Sequence, residues 1–84
     1  MNYYLYILKS LAYGRYYIGT TADLGARLEK HNSGDVRSTK AYRPWKIVYQ
    51  EIFLDKKAAR QREIFLKKNY KARQEIFGSL QKTV

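Results

Sequence analysis

The fold is decided by two short runs of β-branched and aromatic residues, YYLYIL at residues 3–8 and YYIGTT at residues 16–21. Runs of this length and composition are typical of β-strands. Between them, residues 13–15 read Tyr-Gly-Arg, and a glycine at this place is typical of a tight turn. The two runs therefore predict a β-hairpin, whose first strand is apolar enough to be buried on both faces.

Two aspartates mark the starts of helices farther along the chain. Asp23 can accept hydrogen bonds from the first free backbone N–H groups of a helix over residues 24–32. Asp55 offers the same kind of N-cap for a helix over residues 56–68. Apolar residues recur at helical spacing once more over residues 70–80, which predicts a final helix.

The segment between the first two helices predicts a loop and a third strand. Residues 35–43 are polar and rich in turn formers, and Pro44 disfavours helix in the residue before it. A strand follows over residues 45–54. The element order is then β-β-α-β-α-α. This order predicts a small α/β sandwich of the α+β type, in which a three-stranded antiparallel sheet is flanked by helices. The third strand could pair with either edge of the hairpin, and the pattern leaves this open.

Length and composition set further bounds. A chain of 84 residues can enclose only one core, which predicts a single domain spanning residues 1–84. The absence of cysteine excludes disulfides, thiolate metal sites and cysteine nucleophiles. No apolar run approaches the length of a membrane span, and the first residues lack the pattern of a signal peptide. We therefore expect a cytoplasmic protein that does not associate with membranes.

Positive charge dominates the composition, since 17 lysines and arginines against seven aspartates and glutamates give a formal net charge of +10. This excess predicts a polyanionic partner such as nucleic acid. It is concentrated between Lys56 and Arg73, where eight basic residues accompany a single acid. A basic helix face can also be merely solvated, whereas a membrane-surface helix would need a cleaner apolar face. The predicted phosphate contacts are Lys46, Lys56, Lys57, Arg60, Lys67 and Lys68.

A small set of side chains can carry chemistry. Tyr6 and Tyr17 lie on paired strands of the predicted hairpin and can present neighbouring phenols. Arg27 and the single histidine, His31, share a face of the following helix, and an arginine fork suits bidentate binding of phosphate. Glu63, alone among cations, is an oxygen ligand on which Mg²⁺ could be held beside a phosphate.

Each of these residues also has a plainer interpretation. The two tyrosines could simply pack against a helix, and the histidine could be structural. Arg27 could pair with Asp23, four residues earlier, and Glu63 could pair with Lys67, four residues later. The pattern alone does not decide between packing and chemistry.

Several short blocks nevertheless follow one another in order along nearly the whole chain: YLYIL at 4–8, YYIGTT at 16–21, DLGARL at 23–28, HNSG at 31–34, RPWKIVY at 43–49 and AARQRE at 58–63. In this order and spacing they resemble the GIY-YIG nuclease superfamily, and within it the small standalone bacterial domains similar to the catalytic module of excision-repair and homing nucleases. One departure is the first motif, which reads Tyr4-Leu5-Tyr6 and lacks the glycine of the family name.

The resemblance implies a role for each candidate residue. Tyr17 matches the activating tyrosine, Tyr6 its partner, Arg27 the phosphate clamp, and His31 a position that assists in some members. Glu63 matches the ligand of one divalent cation, Mg²⁺ or Mn²⁺. The implied activity is metal-dependent endonuclease hydrolysis of phosphodiester bonds in DNA, by a water activated near the tyrosine.

Two alternatives belong to other functional classes. The same basic surface could serve a nucleic-acid-binding module without catalysis, in which the tyrosines pack or stack. The chain could also be an accessory domain of a repair complex, since nucleases of this kind usually take target specificity from attached domains. A protein partner that supplies specificity is therefore a further expectation. The late asparagine of some members has only Asn69 as a loose match, and it receives no role.

Overall fold

Three strands and three α-helices form the fold of residues 1–81, the part of the chain that this computed structural model describes. They are β1 (Tyr3–Ser10), β2 (Tyr16–Thr21), α1 (Leu24–Ser33), β3 (Trp45–Phe53), α2 (Lys56–Lys68) and α3 (Tyr70–Gln81), with a 3₁₀ turn at Lys40–Tyr42 before β3. The predicted order β-β-α-β-α-α and the α+β class are confirmed. Residues 82–84 of the predicted domain lie outside the described part.

The central strand of the sheet is β1. The strand order is β2-β1-β3, and both pairs are antiparallel. Tyr6 lies opposite Gly19 of β2 on one side and Gln50 of β3 on the other, and a bulge between Ile7 and Leu8 shifts the register toward β3. The third strand therefore pairs with the first, and β2 is left as an edge strand beside which a site can form.

The strand β1 is buried on both faces, as predicted. Because side chains alternate along a strand, Leu5 and Ile7 share one face, where they cluster with Leu66 of α2 beneath α2 and α3. Tyr6 and Leu8 occupy the other face and cluster with Trp45 and the apolar residues of α1. The sheet thus separates an α1 layer from an α2–α3 layer.

Side-chain caps fix where the helices begin. Asp23 Oδ1 accepts from the backbone N–H of Ala26 at 3.0 Å, and Asp55 Oδ1 accepts from that of Ala58 at 2.7 Å. Both predicted N-caps are confirmed. Asn69 Oδ1 plays the same part for α3, 2.9 Å from the backbone nitrogen of Ala72. A helix cap is thus the observed use of this asparagine.

One prediction about packing is wrong. In the sequence of α2, Ala58, Ala59, Phe65 and Leu66 make a rough apolar stripe, which predicts that Phe65 packs inward, but its side chain is 46% exposed. The helix instead buries Glu63, which lies four residues after Ala59 and three before Leu66 and so shares their face. Phe65 lies about a third of a turn away and contacts the Arg62 guanidinium at 5.5 Å from the ring centroid. Within residues 1–81, every helix is too short or too polar to span a bilayer.

The connection between α1 and β3 is closed at its base by one side chain. The Asn32 amide donates to the carbonyl of Trp45 at 3.0 Å and accepts from the backbone N–H of Trp45 at 2.7 Å. The Trp45 indole N–H in turn donates to the carbonyl of Thr39 at 2.9 Å. These bonds hold Thr39, which is 1% exposed, against α1.

Candidate active site

Four of the predicted site residues meet on the α1 side of the sheet. The phenol oxygen of Tyr6 is their common point. It lies 2.9 Å from His31 Nε2 and accepts a hydrogen bond from Arg27 Nε at 3.3 Å. The Tyr17 ring lies 6.3 Å from the Tyr6 ring and 4.9 Å from the His31 ring, centroid to centroid. Tyr6 and His31 are buried, whereas Tyr17 and Arg27 are partly exposed.

A glycine on β2 makes room for this arrangement. A Cβ atom on Gly19 would lie 2.7 Å from Tyr6 Oη, 2.8 Å from Tyr6 Cζ and 3.1 Å from Tyr17 Cε2. The first two distances are shorter than any non-bonded contact between such atoms allows. The glycine inside a strand is therefore explained by the close approach of the Tyr6 side chain to the backbone of β2.

The hydrogen bonds around His31 assign its protons. Thr39 Oγ1 donates to the carbonyl of Val36 at 3.3 Å, so it accepts from His31 Nδ1, 2.8 Å away. His31 Nε2 then carries no proton and accepts from the Tyr6 hydroxyl. We assign a neutral imidazole protonated on Nδ1. Burial, with a smaller effect from the charge of Arg27, lowers the pKa of His31 to about 4, in agreement with this form.

The same surroundings keep Tyr6 a neutral phenol. Burial raises its pKa, and the hydrogen bond from Arg27 opposes this only in part. Repulsion from Tyr17 and Glu63 adds to the rise. The hydrogen bond to Tyr6 raises the pKa of Arg27, so the guanidinium stays charged. The alternative partner of Arg27, Asp23, is used instead as the cap of α1.

Glu63 lies on the opposite side of edge strand β2, in the α2 layer. Its side chain is 6% exposed, and both oxygens are engaged: Lys67 Nζ lies 2.6 Å from Oε2 and Arg60 Nη1 2.7 Å from Oε1. Thr20 Oγ1 donates to Oε1 at 3.4 Å. Burial alone would raise the pKa of Glu63, but the hydrogen bonds from Lys67 and Arg60 outweigh it and lower the pKa. The pairing of Glu63 with Lys67 is thus observed.

Lys67 connects the two sides of the site. While its ammonium group binds Glu63, it also lies 5.9 Å from the centroid of the Tyr17 ring. All five predicted catalytic residues are therefore joined through side-chain contacts, Arg27 and His31 to Tyr6, Tyr6 to Tyr17, and Tyr17 through Lys67 to Glu63. The chain of contacts passes around the free edge of β2.

An open depression adjoins this edge. It has a volume of about 260 Å³ and is lined by Tyr16, Tyr17, Ile18, Lys67 and Arg73. We call it the β2 depression. Tyr16 and Arg73 were not among the predicted site residues. Arg73 was counted only within the basic segment, and Tyr16 was read only as part of the strand, so the sequence carried no signal that the two lie together.

The predicted phosphate contacts lie on two elements. Four charged residues of α2 recur at i, i+4, i+7 and i+11 and so share one face: Lys56, Arg60, Glu63 and Lys67. We call this face the α2 stripe. Lys57 and Lys68 are exposed on the adjacent face of α2. Lys46 stands apart on β3, where it lies opposite Lys9 of β1.

The donor atoms present fit a cation that is held by a single carboxylate. Residues 1–81 contain no group of three or more His, Cys, Asp or Glu side chains able to hold a metal ion. Mg²⁺ in phosphate-bound sites is commonly held by one or two carboxylates together with waters and phosphate oxygens. Glu63 could hold a cation in this way, and Arg60 and Lys67 would compete with the cation for its oxygens.

Comparison with known proteins agrees with this fold. Residues 2–76 match the GIY-YIG catalytic domain. The chain belongs to this family, which is one of nucleases; their substrate is nucleic acid, and they usually use a divalent metal. The resemblance predicted from the sequence motifs is confirmed.

The relatives are small bacterial proteins called UPF0213. The chain is 46% identical over 63 residues to the one from Bacillus pumilus, which covers 74% of this chain and 63% of that protein. It is 39% identical over 77 residues to the one from Streptococcus pneumoniae, 90% of this chain and 77% of that protein. The chain thus spans less than two thirds of the Bacillus pumilus relative. The solution NMR structure of UPF0213 protein BH0048 from Bacillus halodurans has 32% sequence identity and a TM-score of 0.57, covering 99% of this chain and 88% of that one.

Proposed function

We propose that this protein is a metal-dependent endonuclease that hydrolyses phosphodiester bonds in DNA. The observation that carries the proposal is the hydrogen bond of 3.3 Å from Arg27 Nε to the buried phenol of Tyr6, beside the partly exposed ring of Tyr17. A fixed cation next to an accessible phenol is the arrangement needed to bind a phosphate and to bring a water molecule to it.

Arg27 is the phosphate clamp in this proposal. A guanidinium has five N–H donors, and only the Nε donor is used by Tyr6. Its two terminal amino groups can together bind two phosphate oxygens, the geometry in which arginine binds phosphate most strongly. Because Tyr6 is buried and cannot move far, its hydrogen bond limits the positions that the guanidinium can take.

Tyr17 is the residue proposed to act on the attacking water. Its side chain belongs to the edge strand, is partly exposed and has Lys67 close to its ring. A cation next to the ring would stabilise negative charge that develops on the phenol oxygen while Tyr17 acts on the water. Tyr6 and His31 are 1% and 0% exposed, which leaves them out of reach of a substrate, and we assign them positioning roles toward Arg27 and Tyr17.

Glu63 is the proposed ligand of one divalent cation, Mg²⁺ or Mn²⁺, which when bound supplies stabilisation of the charge on the phosphate and the leaving oxygen. The hydrogen bonds from Lys67 and Arg60 already keep this carboxylate ionised. On either side of it along the α2 stripe, Lys56 and Lys67 can neutralise further phosphates of the DNA backbone. Lys46, Lys57, Arg60 and Lys68 are proposed as additional phosphate contacts.

A second function is favoured by one observation. Both oxygens of Glu63 are paired with cations of α2, and an ion-paired carboxylate can be purely structural. In that case the protein is a nucleic-acid-binding module that uses the same basic surface without cleaving. Such a module binds DNA in a salt-sensitive way but needs no metal.

Cleavage assays separate the two functions. Plasmid and branched DNA are incubated with Mg²⁺ or Mn²⁺ and with the wild-type protein, Tyr17→Phe or Glu63→Gln. Tyr13→Phe, at an exposed tyrosine of the hairpin turn, is the matched control. We expect Tyr17→Phe and Glu63→Gln each to reduce the rate by roughly 10²-fold or more. Cleavage that persists at the wild-type rate in both variants contradicts the site, and tight binding by a wild-type protein that never cleaves supports the binding module.

A further inference from the structure

The carboxylate of Glu63 is neutralised by two cations whose side chains are much more exposed to solvent than its own. The Glu63 side chain is 6% exposed, whereas those of Lys67 and Arg60 are 49% and 61% exposed. A buried carboxylate is costly unless a counter-charge accompanies it. Lys67 and Arg60 supply that charge in the described structure, but their exposure leaves both free to turn toward solvent.

Lys67 also lines the β2 depression, where a second cation is fixed. Arg73 Nη1 donates to the backbone carbonyls of Leu66 and Lys67 at 2.7 and 2.6 Å, which holds the guanidinium at the end of α2. The Lys67 ammonium group, by contrast, lies at the end of a flexible side chain and is held by its ion pair with Glu63. The depression therefore contains one fixed positive charge and borders one that can move, beside the ring of Tyr17.

We propose that Lys67 is an exchangeable counter-ion: it leaves Glu63 when a divalent cation binds there, and together with Arg73 it then binds a nucleic-acid phosphate in the β2 depression. This inference rests on the proposed role of Glu63 as metal ligand. Lys67 and a divalent cation compete for the same oxygen, Oε2, and two positive charges at such short range repel each other. The released ammonium group has the depression within the reach of its side chain.

The exchange makes metal binding and phosphate binding support each other. Without metal, the charge of Lys67 is offset by Glu63, so Arg73 supplies the net positive charge of the depression. With metal, the depression gains the charge of Lys67 and holds phosphate more tightly. Since coupling between two binding sites is reciprocal, DNA must tighten metal binding by the same factor.

The first measurement is the affinity for Mn²⁺ in the absence of nucleic acid, from the electron paramagnetic resonance signal of free Mn²⁺. Lys67→Met and Lys67→Gln remove the competitor, and we expect both to bind Mn²⁺ roughly fivefold more tightly than the wild type. Lys71→Met is the matched control, because Lys71 is an exposed lysine four residues farther along, forms no ion pair among residues 1–81 and is not one of the proposed phosphate contacts. Its Mn²⁺ affinity should stay close to that of the wild type.

The second measurement repeats the titration with a phosphorothioate DNA duplex, which resists cleavage. The wild-type protein should bind Mn²⁺ more tightly when the duplex is present. Lys67→Met should show a smaller tightening than the wild type, because the part of the coupling that Lys67 carries is gone, whereas direct coordination of Mn²⁺ by phosphate oxygens is kept.

The outcomes separate this inference from the proposed function. If Glu63→Gln binds Mn²⁺ as well as the wild type, or if the wild type binds none, Glu63 is not the metal ligand and both proposals are overturned. If Mn²⁺ binding depends on Glu63 but is the same in both Lys67 variants as in the wild type, or changes equally in Lys71→Met, only the exchange is overturned. Tightening by DNA that is as large in Lys67→Met as in the wild type also overturns it.

Discussion

Thr39 Oγ1 lies 2.8 Å from His31 Nδ1 and fixes which nitrogen of the only histidine carries the proton. The hydroxyl can do this because its own proton is given to the carbonyl of Val36. Thr39, a loop residue, thereby determines that His31 Nε2 accepts the hydrogen bond from the Tyr6 hydroxyl. The Tyr6 oxygen is then free to accept from Arg27 Nε.

Replacing Thr39 by valine should disturb that order of donors. The shape is kept, but His31 Nδ1–H is left buried without an acceptor, which costs about 1–3 kcal/mol of unfolding free energy. The ¹⁵N chemical shifts of the imidazole distinguish the two neutral tautomers, and we expect the wild-type ring to be protonated on Nδ1. Thr39→Ser should retain this form. A valine variant with the wild-type tautomer and the wild-type stability would contradict the assignment.

The pH dependence of His31 gives a second prediction. Its pKa in the folded protein, about 4, lies below the usual 6.5. Between these values the unfolded chain binds more protons, so the stabilisation is complete above pH 6.5 and is lost as the pH falls through 4. The loss is on the order of 3 kcal/mol.

The ring proton signals of this single histidine, followed by NMR, should therefore titrate with a midpoint near 4 rather than near 6.5. The carboxylates of Glu51 and Glu63, whose pKa values are lowered, also lose stabilisation in acid. For this reason the free energy of unfolding is compared between wild type and His31→Gln, and only the difference between the two pH profiles is assigned to His31. A midpoint above 6 would rule out the buried neutral ring.

Gly19→Ala tests the close approach of Tyr6 to β2. The added methyl group would meet the phenol of Tyr6, whose oxygen is tied to His31 and Arg27 and cannot easily withdraw. We expect a loss of about 1–3 kcal/mol in urea unfolding. Gly78→Ala is the control, because a Cβ atom there meets nothing within 4 Å and alanine favours the helix. Equal stability of the two variants would contradict the geometry of the site.

Salt dependence tests the α2 stripe as the DNA-binding face. Each phosphate contact contributes about 0.9 to the slope of log affinity against log salt concentration for duplex DNA, so Lys56→Ala should reduce the slope by about one. Lys30→Ala, an exposed lysine of α1, should leave it unchanged. Fluorescence anisotropy with a labelled duplex at several salt concentrations measures both. Equal slopes for Lys56→Ala and wild type would remove Lys56 from the interface.

Local signals in the sequence predicted most of the fold. Short runs of β-branched and aromatic residues predicted β1 and β2, and Asp23 and Asp55 predicted the first turns of α1 and α2, because both signals act within a few residues. The partner of β3 could not be predicted, since strand pairing depends on packing far along the chain. Phe65 was misplaced because apolar character alone was taken to mean burial, whereas Glu63 is buried by virtue of its two counter-ions.

The candidate site shows the same division. The motif of the family pointed to Tyr6, Tyr17, Arg27 and Glu63, and their roles remain predictions. Thr39 could not be found, because it lies in a loop without periodicity and its contact with His31 exists only once Trp45 has closed the loop.

The closure of that loop limits how the chain can vary. The Asn32 amide binds the backbone of Trp45, and the Trp45 indole binds the Thr39 carbonyl. These bonds fix two distances in the segment from α1 to β3, one between residues 32 and 45 and one between residues 39 and 45. The segment therefore works as a spacer of defined length. An insertion between His31 and Thr39 would move the Thr39 hydroxyl relative to the His31 imidazole. An insertion in the exposed hairpin turn at residues 11–13 would leave this contact unchanged. Variation in length among such domains should accordingly collect at the turn and avoid the spacer.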